Sequence, residues 1–275
     1  MDREEVQGRL ERIVTEYQVQ VTDELESRIA PWERDLTRRE VHEVIGGLLA
    51  RQTSLVVHIA QSPGVWNGHV APVLLRTMVD TFITLAWILV DAHDRSQKFI
   101  LHGLGQLKLN LEHRAEELRK SGYESDEDPV IKYQTTWLNS QRFTFLTEVD
   151  LGSWSGISTR EMAEQADCLD LYRYAYAPFS AATHSMWHHV GMYNVVPCDS
   201  PLHRHHGLPA APEHPPDVDY LYRAAKYVEK SFRRFEEWLG VAPPESTAFE
   251  VLEGSLDTLG REVEAEAQAQ GEEGG

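Results

Sequence analysis

The sequence predicts an all-α fold: a multi-helix bundle with long amphipathic N-terminal helices, one buried central helix and a Pro- and His-rich loop. Two observations predict it. Apolar residues recur three and four apart through most of the chain, the repeat of one helix face, and no alternating strand pattern competes with it. Within that background, residues 71–90 (APVLLRTMVDTFITLAWILV) form a nearly unbroken apolar run. Such a run is long enough to span a bilayer, but Arg76 and Asp80 near its middle make spanning costly, and the segments around it are amphipathic. It is therefore expected at the centre of the bundle, buried on most faces, with no membrane partner.

The elements follow in order. Residues 3–29 interleave charge with Val6, Leu10, Ile13, Val14, Tyr17, Val21 and Leu25, an amphipathic helix that Pro31 follows. A second helix is expected over 35–60, with Val41, Ile45, Leu48, Leu49, Leu55 and Val56 as its apolar side, stopping at the turn-rich SPGVWNG. After Pro72 comes the apolar helix. Residues 91–94 read as a short break or kink before a long helix over 95–119, and SGYESDEDP (121–129) as an exposed acidic loop. The aromatic-rich segment 130–147 is expected to be helical. LGSWSGIS is a loop that delivers Thr159 as the N-cap of a helix beginning REMAEQAD. Residues 169–176 continue helically, Pro178 interrupts, and 179–193 resumes. PCDSPLHRHHGLPAAPEHPP (197–216) is expected to be loop throughout. A helix over 218–239 turns Leu221, Ala225, Val228, Phe232, Phe235 and Trp238 inward. A last amphipathic helix spans about 246–266, and residues 267–275 form an expected disordered tail. One domain over 1–266 accommodates all of these elements.

Composition narrows the function classes. The chain is 41% hydrophobic and 25% charged, ordinary for a globular protein, and its charged N-terminus has no apolar signal core. Cys168 and Cys198 give neither a disulfide framework nor a zinc quartet, so a reduced, cytoplasmic protein is expected. A formal net charge of −18 disfavours general binding of nucleic acid or anionic membranes, because phosphate affinity rests on Lys and Arg. Part of that charge lies in ESDEDP (124–129) and in the C-terminal tail. A local basic groove around Arg34, Arg38 and Arg39 stays open beside the plainer reading, a solvated helix face.

Four constellations carry chemistry. Arg76 and Asp80, four apart on one helix face, are either an anion-binding cation with its orienting carboxylate or a structural ion pair. In YRYAYAPFSAATHSMWHHV (172–190), the helix after Pro178 places Ser180, His184 and His188 on one stripe, four apart each time. His184 can then serve as a general base, and His184 with His188 has the spacing of two imidazoles sharing a metal, though no acidic third ligand accompanies them. His203, His205, His206 and His214 read as a solvated loop tract, with the opportunistic metal binding of flexible His tracts as the lesser alternative. Finally, Arg95 and His102 fit the Arg, four-to-six residues, His spacing of the all-α HEPN nucleases, a pattern that composition alone also produces by chance.

LLRTMVDTFITLAWIL, the segment 95–99, ISTREMAEQAD and LYRYAYAPFSAATHSMW together resemble the DUF5677 family of prokaryotic proteins over about residues 35–195. The resemblance implies that Arg76, Asp80, Tyr176, Ser180 and His184 form one recurring polar set inside the bundle, with Asp80 where the family commonly has Glu. By analogy with HEPN-type bundles it also implies a role in phage defence or toxin systems. The leading expectation is then metal-independent cleavage of RNA. Arg76 stabilises the phosphorane charge, His184 is the general acid or base, Asp80 orients Arg76, and Tyr176, Ser180, Arg95 and His102 bind. The alternatives are a non-catalytic sensor of a small anion or nucleotide, an oligomeric interaction module, and a metalloprotein at His184 and His188. No cofactor is expected. The first helix either dimerises or packs on its own bundle.

Overall fold

Acidic residues in the first turn and a basic residue in the last complement the helix dipole in α1 (Arg3–Ile29), where Glu4 and Glu5 open the helix and Arg28 closes it. In the computed structural model, residues 3–141 and 153–273 are described. The other long helices are α2 (Arg39–Ala60), α3 (Ala71–Val90), α4 (Ala92–Lys120), α10 (Asp219–Leu239) and α11 (Ala248–Glu273). The fold is all-α, as the periodicity predicts. α3 is its axis: α2, α4, α6 (Thr159–Gln165), α8 (Ala177–Thr183) and α10 all pack on it. Its length and composition would allow it to cross a bilayer, but here Met78, Val79, Ile83, Leu85, Ala86 and Ile88 are wholly buried among the other helices. Gln52 fixes the register at the centre, its amide donating to the Met78 carbonyl (2.9 Å) and to Ser231 Oγ (3.0 Å). The apolar face of α1 is covered by its own chain, against α11 and α2.

Several expectations are corrected. α2 begins at Arg39 rather than 35, because Asp35 takes the Thr37 amide (2.8 Å) and hydroxyl (2.7 Å) into a local turn that competes with helix. The break after α3 is confined to Asp91. Asp128 is more than a member of an acidic loop. It caps α5 (Pro129–Asn139) by accepting from the Ile131 amide and is held bidentately by Arg114 at 2.9 and 2.8 Å. That pairing lowers its pKa to about 2. The remainder of the expected helix 130–147, from 142 on, lies outside the described residues. Ser158, not Thr159, caps α6, closing a capping box with Glu161. The last helix runs on through Glu273 rather than ending near 266.

Pro178 does not interrupt its helix. α7 (Leu169–Leu171) passes through a π turn, Tyr172–Tyr176, into α8, and the Ala177 amide reaches back five residues to the Tyr172 carbonyl. The wider turn accommodates the proline one residue later. The true break follows His184, the C-cap of α8. Ser185 has φ +49° and Met186 is extended before α9 (Trp187–Tyr193) begins. The segment expected to be loop holds a two-stranded hairpin, β1 (Val195–Pro197) with β2 (Gly207–Pro209), in antiparallel register Val195↔Pro209 and Pro197↔Gly207. Its prolines are tolerated because both strands are edges. A Cβ on Gly68 would overlap the Tyr193 hydroxyl, so glycine there lets the region after α9 dock on the turn before α3.

Candidate functional site

α3, the π turn and α8 meet at Arg76. Its Nε donates to Ser180 Oγ at 3.0 Å, and its guanidinium lies over the Tyr176 ring, 3.0 Å from the centroid. Ser180 Oγ donates in turn to the Tyr176 carbonyl (2.8 Å), and the Tyr176 hydroxyl donates to Thr159 Oγ1 (3.2 Å). Tyr172 stacks on Tyr176 at 4.8 Å. Arg76 is thus a nearly buried clamp between α3 and the helices behind it. Its ion pair with Asp80 is longer, 3.7 Å, and joins a 13% exposed side chain to one 51% exposed. The structure therefore brings Arg76, Asp80, Tyr176 and Ser180 together, with most of the guanidinium already engaged.

Asp80 points the other way, into a cavity of about 700 Å3 between α2, α3 and α4, a volume typical of small-molecule sites. α3 contributes Thr77, Asp80, Thr81 and Thr84, spaced three and four apart, a polar stripe on an otherwise apolar helix. Thr77 and Thr81 donate back to carbonyls of their own helix. Thr84, 8% exposed, has no hydrogen-bond partner among the described residues. α2 contributes Glu43 and Arg51, and Arg51 is exposed and without an ion pair among the described residues. Aromatic walls close the ends. Trp154 is fixed edge-on against Trp87 (5.3 Å) and Phe99 (4.9 Å), whereas Trp137 of α5 is 48% exposed with no ring partner among the described residues. Crowding by the cavity wall pushes the Asp80 pKa upward; Arg76 pulls it down and does not win. Gly47 of α2 and Gly103 of α4 line the same space, and a Cβ on either would meet open space.

The other expected site residues lie elsewhere. His184 is exposed at the end of α8, its amide donating to the Ser180 carbonyl (2.9 Å), and its imidazole makes no hydrogen bond or ring contact among the described residues. His188 sits on α9, so the break at 185–186 takes both imidazoles off the shared stripe that a continuous helix would give. Arg95 fastens helices together: it donates to the Trp87 carbonyl (2.5 Å), contacts Gln165 (3.4 Å) and lies 3.8 Å over the Trp87 ring. Trp87 Nε1 donates to the same Gln165 oxygen at 2.7 Å. His102 is half-buried and is not part of the cavity lining, and its Nδ1 has no hydrogen-bond partner among the described residues. Among the described residues one group of three metal-ligating side chains converges, Cys198, His203 and His206, on the hairpin and away from the cavity.

Arg51 and Trp137 escaped sequence reasoning because nothing local distinguishes them from solvated helix positions. The threonine stripe was missed too, although its signal was present: hydroxyls at 77, 81 and 84 around Asp80 repeat with the helix period inside an apolar run. No curated protein and no solved structure matches the chain. A family model does, over residues 42–200, and that span holds the Arg76 clamp and every cavity residue named above. The chain belongs to DUF5677, a family of unknown function.

Proposed function

We propose that this chain is a binding module for a small anionic, ring-bearing ligand of the nucleotide class, taken up between α2, α3 and α4. One observation carries the reading. An exposed cation (Arg51) and a hydroxyl (Thr84), neither with a side-chain partner among the described residues, a carboxyl with a raised pKa (Asp80) and a half-exposed indole (Trp137) line one cavity. A planar ring stacks on Trp137, a phosphate pairs with Arg51, and Asp80 and Thr84 bond sugar or base edges. Arg76 acts from behind, holding Asp80 and α3 against Tyr176 and Ser180. A binding role also agrees with the net charge of −18, since a local cation is enough for one small anion but not for a polyanion. Thermal-shift titration with nucleoside monophosphates tests it. A rise in melting temperature that Arg51→Ala removes is expected, and no shift with any nucleotide or with phosphate contradicts it.

Metal-independent cleavage of RNA, with a place in a defence or toxin system, is the second reading. It draws support from Asp80, whose raised pKa suits general acid–base work. It is weakened by His184, whose exposed imidazole has no hydrogen bond among the described residues. An RNA-cleavage assay beside the titration separates the two: the binding reading expects ligand-induced stabilisation with no cleavage. Of the two roles open to the first helix, packing on its own bundle draws support from its contacts with α11 and α2.

A further inference from the structure

We infer that the hairpin after α9 carries a transition-metal site, with Cys198, His203 and His206 as ligands and Zn2+ as the ion that this donor set favours. The inference is independent of the α2–α3–α4 cavity. Cys198 directly follows β1 and His206 directly precedes β2, so the ladder that pairs Pro197 with Gly207 sets them opposite one another. The Cys198 amide donates to the His206 carbonyl at 3.0 Å, closing the loop. Inside it, the His203 amide donates to the Ser200 carbonyl (3.0 Å) and the His206 amide to the His203 carbonyl (3.2 Å), which turns His203 back over the mouth. His205 adopts φ +60°, a left-handed conformation that a non-glycine residue takes only at a cost, and this delivers His206 to the same side. A Cβ on Gly207 would collide with Val195, so glycine there keeps the strands close.

The result is a thiol and two imidazoles whose donor atoms all lie within 4.8 Å of one another. Cys198 Sγ and His203 Nδ1 are 3.7 Å apart, within reach of a weak hydrogen bond between thiol and imidazole. A tetrahedral zinc about 2.3 Å from sulfur and about 2.0 Å from nitrogen sets two such donors about 3.5 Å apart. The spacing therefore suits an ion shared between the side chains. Thiolate with two imidazoles selects zinc over hard cations such as magnesium or calcium. Binding displaces the thiol proton to solvent, and the exposed histidines leave the fourth position to water or to a donor from another molecule.

Titration of the reduced full-length protein with Co2+ and then Zn2+ tests this. Co2+ should bind at about one ion per chain, with the intense sulfur-to-cobalt charge-transfer absorption of a thiolate ligand, and Zn2+ should displace it. Cys198→Ser should abolish that absorption. His203→Ala with His206→Ala should weaken Zn2+ by more than about 100-fold, beyond the loss seen when only outer-shell groups are changed. His184→Ala with His188→Ala should leave both unchanged. Tight binding without the charge-transfer band, binding that survives the hairpin variants, or loss of binding in the His184/His188 variant instead would each overturn the assignment. So would the absence of stoichiometric binding in the wild-type protein.

Discussion

At the scale of single residues, Arg76 divides its contacts between Tyr176, Ser180 and Asp80, and the division makes Asp80 a reporter. The Asp80 carboxyl holds its proton more tightly in the folded chain than in the unfolded one. Its contribution therefore favours the fold at low pH and is lost as pH rises from the ordinary 3.8 through the raised value. Arg76→Ala removes the one group that lowers this pKa, so the carboxyl should titrate still higher, and stability should fall by about 1–2 kcal/mol with the lost cation–π contact and hydrogen bond. Carboxyl-carbon NMR titration of Asp80 checks the first point and denaturant unfolding the second. An Asp80 pKa that stays put or falls contradicts the pairing. The proximity of Arg76 and Asp80 was legible because both lie on one helix turn. That Tyr176 takes the guanidinium face was not, since it depends on where a helix a hundred residues later docks.

At the scale of elements, caps and glycines decide more than periodicity does. Asp128 accepts from Arg114 and from the first turn of α5, and its lowered pKa means that this stabilisation is complete above the ordinary carboxylate pKa and lost as pH falls towards about 2. Asp128→Asn should flatten the acid limb of the stability profile in that window and fray α5; an unchanged acid limb contradicts the cap. Gly103 sits inside α4, where glycine costs about 1 kcal/mol relative to alanine, and a Cβ there would meet nothing. Gly103→Ala should therefore stabilise the chain by roughly that amount while narrowing the cavity, whereas destabilisation would mean the glycine serves helix packing. Helix positions could be read from the spacing of apolar residues, as α1, α3 and α10 attest. Two breaks could not. Pro178 is absorbed by the π turn, and the break at Ser185 has no proline or glycine to mark it, which is how His184 and His188 came to be expected on one stripe.

At the scale of the whole molecule, the matched family span and the parts outside it divide the labour. Residues 42–200 carry the cavity and the Arg76 clamp, and α1, α10 and α11 brace them. The brace is ionic as well as apolar. Buried Arg28 of α1 bonds Glu24 (3.0 Å), Glu229 (2.8 Å) and Glu236 (2.9 Å), and Arg9 pairs with Glu262 of α11. Arg28→Ala leaves the Glu229 and Glu236 carboxylates buried without their shared cation, and about 3–5 kcal/mol of stability should go with it. A loss under 1 kcal/mol in chemical denaturation would show that the network adds little. Arg28 and Glu24 are one turn apart on α1, but the other partnerships were not visible in the chain itself, because each joins residues two hundred or more positions apart. The all-α fold was visible, because it follows from local periodicity alone.

If Arg51, Asp80, Thr84 and Trp137 form one ligand site, isothermal calorimetry with nucleoside monophosphates reads it out. Saturable one-site binding is expected for the wild-type chain, weakened about tenfold or more by Arg51→Ala and by Trp137→Ala, with Arg95→Ala, away from the cavity, sparing affinity in whatever fraction stays folded. Affinity that is unchanged in both cavity variants, or the absence of any binding heat, would contradict it.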